Sequence, residues 1–547
     1  MTRAKVHRNI YIFLLALLLV AMPSSVFFMN LAWVLMLANW VLEWNWREKF
    51  AHFRNNTLLH AFLALFAMAM AGLCWSQNVN YGVDYLRRML PLAAVPLVVL
   101  TSEPLRGNHL RRLLTAYVAA VLVVSAIGFV RFLSVPGLPY REIVPFISHI
   151  RFALNCCMAI FLLMTFALAP MMRYYRQRQE DGSLSEPSTA REILENLMVR
   201  QHVRHFDWFS ILCIALTIWL LFFLLLLQSY TAYIVLYFTS LVMLLTYWRR
   251  IPTKALRFTA LLLWVGVAAA AGVAVGINAY GYYHLSPAAK QPLKATTANG
   301  NAYSHAQDGM IENGNYINNW VCRQELAEQW SLRSDKSVDA PAGNGYAIYP
   351  ALVRYLNAKG LTKDSAGVAQ LSPDDIHAIE RGVANPVYLR PLSIKRMVYV
   401  RLFEYESGRH LHAVKGFTML QRFDLWRAGW KVFTENPFFG VGTGDVVDAL
   451  HLQLALHGSE LANTNKHTHN QYLSLLMAFG VVGCATLLLL FLRAFVHERM
   501  WEPPLLLANL CIVAISFISE DTLETLAGCL FACLFAVLLA RQEKKIA

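Results

Sequence analysis

Charge is scarce in this chain. Of its 547 residues only 15% are Asp, Glu, Lys or Arg, against roughly 25% in a soluble domain. Hydrophobic residues make up 57% and mean hydropathy is +0.42. That shortage excludes an ordinary water-soluble globule. Paired cysteine is missing as well. Eight of the nine Cys (Cys74, Cys156, Cys157, Cys213, Cys484, Cys511, Cys529, Cys533) sit in apolar stretches, and only Cys322 sits in a polar one. No Cys-x-x-Cys and no metal-ligand spacing occurs, which argues against a disulfide framework and against structural zinc. Internal repeats and low-complexity arrays are also lacking.

Long apolar runs take their place. Runs of roughly 18 or more apolar residues are long enough to cross a bilayer as helices, and helices satisfy their own backbone hydrogen bonds in lipid. We expect spans near 10–24, 26–44, 57–74, 83–101, 112–133, 152–172, 208–227, 229–247, 258–277, 471–492, 504–519 and 523–540. The expected fold is therefore an all-α polytopic membrane protein with about twelve transmembrane helices. The pairs 10–44 and 208–247 are interrupted only by Pro23-Ser24-Ser25 and Gln228-Ser229, and read as tight helical hairpins. Arg3, Lys5 and Arg8 ahead of the first run mimic a signal peptide, but eleven further spans follow, so an uncleaved first helix is expected.

The formal net charge of +14 has a simple source that requires no nucleic acid, because basic residues are enriched in the short cytoplasmic loops of membrane proteins. With the N-terminus inside, every segment on that side is basic: Arg47/Lys49/Arg54, Arg106/Arg111/Arg112, Arg173 to Arg204, Arg249/Arg250/Lys254/Arg257, Arg493/Arg499 and Arg541/Lys544/Lys545. Both ends then lie on the cytoplasmic side. The chain divides into an N-terminal membrane region of nine spans (1–277), a polar loop domain (278–470) and a C-terminal membrane region of three spans (471–547). The loop holds 19 Lys/Arg against 17 Asp/Glu and is placed outside. A few arginines break the charge pattern: Arg87 and Arg88 at the outer end of the fourth span, and Arg131, Arg141 and Arg151 around an outer loop beside His149. Such residues either snorkel and pair, with Asp84 or Glu142 at hand, or form an outward-facing anion site.

The loop carries aromatic and apolar residues throughout, so it is a folded unit. Short helices are expected around 351–356 and over 372–382, where Ser372-Pro373-Asp374-Asp375 is a helix start. The best helix covers 418–435 and is ended by Asn436-Pro437. On it Arg422 and Trp426 are four apart and share a face. A guanidinium there can bind phosphate oxygens bidentately. Gly440, Gly442 and Gly444 follow as a Gly-x-Gly-x-Gly run. It either forms a tight bend or offers backbone N–H groups to an anion, and no strand or βαβ unit supports a dinucleotide site. His467 and His469 come just before the tenth span. Either is a fit general base near neutral pH, or the two simply polarise a helix start for which Asn470 is a good N-cap.

The string Arg422, Trp426, Pro437, Gly440-x-Gly442, His469-Asn470-Gln471-Tyr472-Leu473 and Gly480-x-x-Gly483 resembles the core of the O-antigen ligase/polymerase superfamily. The motif portion spans about 420–485, and the span layout with one late loop extends the likeness across most of the chain. The tail Ser519-Glu520-Asp521-Thr522-Leu523-Glu524 also looks like that of one subgroup. The resemblance implies a GT-C-like bacterial inner-membrane protein with one large periplasmic loop. It implies an inverting, metal-independent glycosyltransferase with no cofactor. The donor would be a glycan on undecaprenyl pyrophosphate and the acceptor a lipid A–core sugar hydroxyl. The family's catalytic His falls on His469 and its loop Arg on Arg422. Members commonly carry a Ser-Arg pair at the outer start of a middle helix. This chain has Ser229-Tyr230-Thr231 there, so Tyr230 takes a lesser part or Arg87, Arg88 or Arg151 supplies the charge. His467, Gly440 and Gly442 complete the expected substrate-binding set. A polymerase and a protein O-oligosaccharyltransferase share the donor half-site and stay open. A transporter or flippase predicts charge or broken helices at mid-bilayer depth and repeat symmetry, and a run such as 258–277 carries no charge.

Overall fold

The computed structural model describes residues 3–105, 107–135, 138–180, 208–251, 254–306, 309–390, 392–411, 414 and 416–542. Of the basic residues used for the orientation argument, Arg106, Arg191, Arg200, Arg204, Lys544 and Lys545 lie outside them. The described chain is a polytopic helical membrane protein. Its only paired strands are the two-residue segments Ile311–Glu312 and Asn315–Tyr316.

The expected apolar runs fall largely on helices. Among the described residues, seven helices are long and apolar enough to cross a membrane: Arg3–Ala21, Thr57–Trp75, Asn108–Ser134, His149–Pro170, Trp208–Leu227, Lys254–Tyr283 and Gln471–His497. The remaining runs are shorter or broken. Val26–Leu42 turns by 114° into Trp46–Arg54, with Trp44 at φ 58° in the turn. The run expected at 83–101 is interrupted between Val79–Met89 and Pro91–Thr101. Pro91 has no N–H to donate and its ring crowds the preceding turn, so sequence hydropathy read as continuous what proline divides. Tyr230–Thr246, Pro504–Ser516 and Leu526–Arg541 are shorter apolar helices.

The chain forms two compact units. One joins Met1–Leu262 with Asp424–Ala547, and the other is Leu263–Phe423. In the first, Leu526–Gln542 packs against Pro91–Thr101 and Pro504–Ser516, and Cys529 to Leu539 are all buried. Gln471–His497 lies against Thr57–Ala71, and Arg3–Ala21 lies on Val26–Leu42 as the short Pro23-Ser24-Ser25 break led us to expect. The second expected hairpin is different. Trp208–Leu227 packs on His149–Glu180, while Tyr230–Thr246 packs chiefly on Pro504–Ser516. The two-residue break at Gln228-Ser229 therefore redirects the chain; Gln228 takes φ 48° and Ser229 caps the next helix through its hydroxyl.

The second unit has its own apolar core, centred on Leu326, Trp330, Leu352, Leu356, Val368 and Ile379. The helix started by Ser372 is there, Pro373–Glu380, with the Ser372 and Asp375 side chains capping reciprocally. The 351–356 expectation lies within Ile348–Ala358, and Thr418–Glu435 has the expected bounds. One buried ion pair ties the unit together. Arg354 grips the fully buried Glu312 with two hydrogen bonds of 2.9 and 2.8 Å, and the Asn385 amide donates to the same carboxylate at 2.8 Å. A buried carboxylate is stable only when paired and hydrogen-bonded in this way.

Candidate functional site

The site is built around a carboxylate that sequence reasoning did not single out. Asp521 lies in the loop after Pro504–Ser516, just before the short turn Thr522–Glu524. Its two oxygens accept from the Thr468 hydroxyl (3.0 Å), the His469 N–H (2.6 Å), the Asn470 N–H (3.0 Å) and the Ser474 hydroxyl (3.2 Å). One side chain thus holds the whole approach to the helix Gln471–His497, which Asn470 caps as expected by accepting from the Leu473 N–H. Gln471 closes the loop from the other side: its N–H donates to the Phe517 carbonyl and its side-chain oxygen accepts from the Leu523 N–H.

This grip puts His469 in an unusual conformation. Its φ is 51°, a left-handed backbone that costs a non-glycine residue energy and marks functional positions more often than chance. The imidazole Nδ1 lies 3.6 Å from Asp521 Oδ2 and the side chain is 34% exposed. The ring is therefore reachable from outside, with a carboxylate behind the nitrogen that faces inward. A carboxylate in that position orients an imidazole and stabilises the imidazolium that forms when the outer nitrogen takes a proton.

Two further expected residues converge on the same loop. Arg151, half-buried, donates to the Thr522 hydroxyl at 3.0 Å and to the Asp521 carbonyl at 2.9 Å. Its guanidinium thus braces the loop that carries Asp521. Arg88 sits over the rings of Tyr81 and Tyr85, and its charge is felt by Glu524 and by His467. The run expected at 523–540 becomes α-helical only at Leu526, so Glu524 falls in the preceding turn, half-buried beside Tyr85. The start of the helix Tyr230–Thr246 is close by: the Thr231 hydroxyl meets that of Ser519 at 3.1 Å. Burial lowers the pKa of His467, and Arg88 and His451 act in the same direction against Asp521. His467 is accordingly a neutral ring near the site.

Arg87 does not join them. Its guanidinium is 75% exposed and pairs with Asp84 at 2.8 Å, the alternative that the sequence left open. Arg422 is half-buried on the helix Thr418–Glu435, one turn from Trp426 on the same face.

The glycines are corrected in their role. All five N–H groups from Gly440 to Gly444 are already engaged. They reach the carbonyls of Asn436, Met477, Ala478 and Gly72, and the Ser76 hydroxyl. Gly440 and Gly442 therefore have no N–H to offer an anion. What they allow is close backbone approach. A Cβ on Gly440 would come 2.4 Å from the Met477 carbonyl oxygen, and one on Gly442 2.6 Å from that of Gly72. The partner surface is a break in the helix Gln471–His497 at Gly480 (φ 60°, ψ −167°). There Val481 and Val482 turn their N–H groups outward to the carbonyls of Pro437 and Phe438. Asp445 extends the contact, accepting from the Gln77 and Asn78 N–H groups. Among the described residues, no group of three or more His, Cys, Asp or Glu is arranged to hold a metal ion.

Asp521 itself was legible only as part of the tail string. It lies 52 residues from His469, so no local spacing could pair them.

Fold and site together define a polytopic helical membrane protein with a braced His–carboxylate pair at a helix start. Residues 384–488 match the family model described as O-antigen ligase, which supports a place for the chain in the O-antigen ligase superfamily. The matched segment contains Arg422, Gly440, Gly442, His467 and His469 and ends before Asp521. No curated protein matches the chain.

The docking of the glycine loop yields a stability test. Gly480→Ala forces a Cβ to within 2.3 Å of the Phe438 carbonyl in a backbone region that glycine alone tolerates. We expect a loss of about 1–3 kcal/mol from strain alone, seen as a lowered melting temperature in detergent. Gly272→Ala, whose Cβ meets nothing within 4 Å, should not lower it.

Proposed function

We propose that the chain is an O-antigen ligase-like glycosyltransferase that moves a glycan from undecaprenyl pyrophosphate to a lipid A–core sugar hydroxyl. The observation that carries this reading is His469, partly exposed, in a left-handed backbone held by Asp521. The superfamily match over the same segment adds the chemical class.

In this reading the acceptor hydroxyl approaches the outer face of the His469 ring. A sugar hydroxyl is a poor nucleophile until its proton is taken, and a positioned imidazole takes it as the new bond forms. Asp521 holds the ring and offsets its positive charge. The acceptor oxygen forms a bond to the anomeric carbon on the face opposite the leaving group. The bond from that carbon to phosphate oxygen breaks, and the lipid pyrophosphate departs with the electron pair. Inversion follows from that geometry. The charge gathering on the pyrophosphate is met by guanidinium groups, which stabilise it without a metal. Arg422 is assigned that part, with Arg88 as the replacement for the arginine absent at Tyr230. Arg151 braces the Asp521 loop through one N–H from each of its Nη atoms. The polyprenyl tail is accommodated among apolar helices in the bilayer. The protein lies in the bacterial inner membrane with about twelve spans and both termini cytoplasmic, and 278–470 forms the periplasmic loop domain.

The substitution His469→Ala should lower transfer by about 10²–10⁴-fold while leaving the protein in the membrane, and the glycolipids of that strain identify the acceptor. Polymer left on the lipid carrier means a ligase. Single repeats on the core mean a polymerase, and an unglycosylated protein means an O-oligosaccharyltransferase. Arg422→Lys should cost about 10–100-fold, the loss of a charge-assisted bidentate contact; normal transfer by either variant rejects the assigned role.

Asp521→Asn should cut the rate by about ten- to a hundredfold. It should also move the acid limb of the pH–rate profile to lower pH, since an imidazole without a neighbouring carboxylate gives up its proton more readily. A purely structural role would lower the rate with no such movement. For the topology, a reporter fused near residue 340 should report the periplasm, and a cytoplasmic signal would reverse the orientation.

A further inference from the structure

The compact unit Leu263–Phe423 contains a cavity of ≈ 140 Å³ that the transfer chemistry does not use. Its lining includes Tyr303, Trp320, Asn315, Asn319, Lys294 and Lys363. We propose that this cavity is a saccharide-binding subsite, suited to a sugar unit that bears an acidic group.

A pyranose has an apolar face of C–H bonds and a rim of hydroxyls. A protein holds it with an aromatic plate for the face and planar amides for the rim, a few polar groups set in an otherwise aromatic or apolar wall. The Trp320 and Tyr303 rings meet edge to face, with centroids 5.6 Å apart and planes at 81°, and so form two adjoining walls. Trp320 is not part of the unit's apolar core, in contrast to the fully buried Trp330. It is nevertheless held rigidly. Its φ is 61°, a conformation that costs a bulky residue about 1–3 kcal/mol. The strain is locked on both sides: the Trp320 N–H bonds His305 Nδ1 at 3.2 Å, and its carbonyl accepts from the Lys363 N–H at 2.9 Å. The indole also meets the His305 ring edge to face, with centroids 5.6 Å apart, and is thereby placed on the cavity wall.

The polar groups point to the same ligand. The side-chain oxygen of Asn319 is shut off from solvent yet accepts no hydrogen bond among the described residues. Buried acceptors are rarely left so, and a turn of the Asn319 amide toward the cavity would let a sugar hydroxyl satisfy it. The lining residues include two lysines and no Asp or Glu. Asp364, next in the chain to Lys363, is already engaged by the Tyr303 and Thr362 hydroxyls and the Gly367 N–H. Lys363 bonds the Asn357 side chain at 2.8 Å and the Tyr316 carbonyl at 3.2 Å, which leaves one of its three N–H groups for a ligand. Burial pushes its pKa down to about 7, and a ligand carboxylate would restore the charged form.

The inference stands on the cavity's chemistry and does not depend on the transfer reading. The full chain, purified in detergent, is applied to an array of neutral and uronic-acid-containing oligosaccharides with no lipid donor or acceptor present. Failure here is thus distinct from failure of transfer. Acidic members should be retained, and retention should fall at least tenfold in Lys294→Glu and in Asn319→Leu. It should be unchanged in Tyr346→Ala, an exposed position outside the cavity. Melting temperatures establish that each variant is folded, and Lys294→Glu, at an exposed site, keeps the test decisive if Asn319→Leu does not fold. Retention of no member, equal retention of neutral members, or retention indifferent to both substitutions would overturn the proposal.

Discussion

One carboxylate governs the site. Asp521 collects two hydroxyls and two backbone N–H groups from residues 468–474. A charged acceptor strengthens each of those bonds relative to a neutral one. Together they offset the strain of His469, whose left-handed backbone no isolated loop would keep. Arg151 fixes the same loop from the other side, through Thr522 and the Asp521 carbonyl. The ring that faces outward is held from within by groups contributed from three separate stretches of chain.

The glycine loop solves a second problem, that of docking one backbone on another. Between Asn436 and Asp445 every N–H from Gly440 to Gly444 finds a partner on Gln471–His497, on the 72–76 segment or within the loop. Side chains at Gly440, Gly442 or Gly480 would occupy space already filled by carbonyl groups. The break at Gly480 is what frees the N–H groups of Val481 and Val482 to meet Pro437 and Phe438. The Gly-x-Gly pattern is thus a packing motif here. It positions the start of the His469 helix by joining it to the segment after Trp426.

Much of this was legible along the chain because the signals are local. A long apolar run means a helix wherever it occurs, and Ser372-Pro373-Asp374-Asp375 and Asn436-Pro437 start and stop helices through their own backbone chemistry. Where the reading went astray, the cause was proline or partner choice. Pro91 interrupts the run at 83–101, and Tyr230–Thr246 leaves its sequence neighbour to pack chiefly on Pro504–Ser516. The helices Arg323–Ser331 and Ile394–Leu411 went unpredicted, since their faces are set by a core that no single segment displays.

The amino-acid sequence by itself determined the class of protein: too little charge for water, enough apolar runs for a membrane, and an Arg, Gly and His motif set that matches the O-antigen ligase family over 384–488. Hydropathy and motif spacing are properties of neighbouring residues, so they survive without a fold. Only the tertiary structure decided which charges face which. It joined His469 to Asp521 across 52 residues and set Arg151 as a brace of the same loop. It left Arg87 paired at the surface with Asp84. Electrostatic and hydrogen-bonded partners are selected by distance in space, and distance in space is what packing sets.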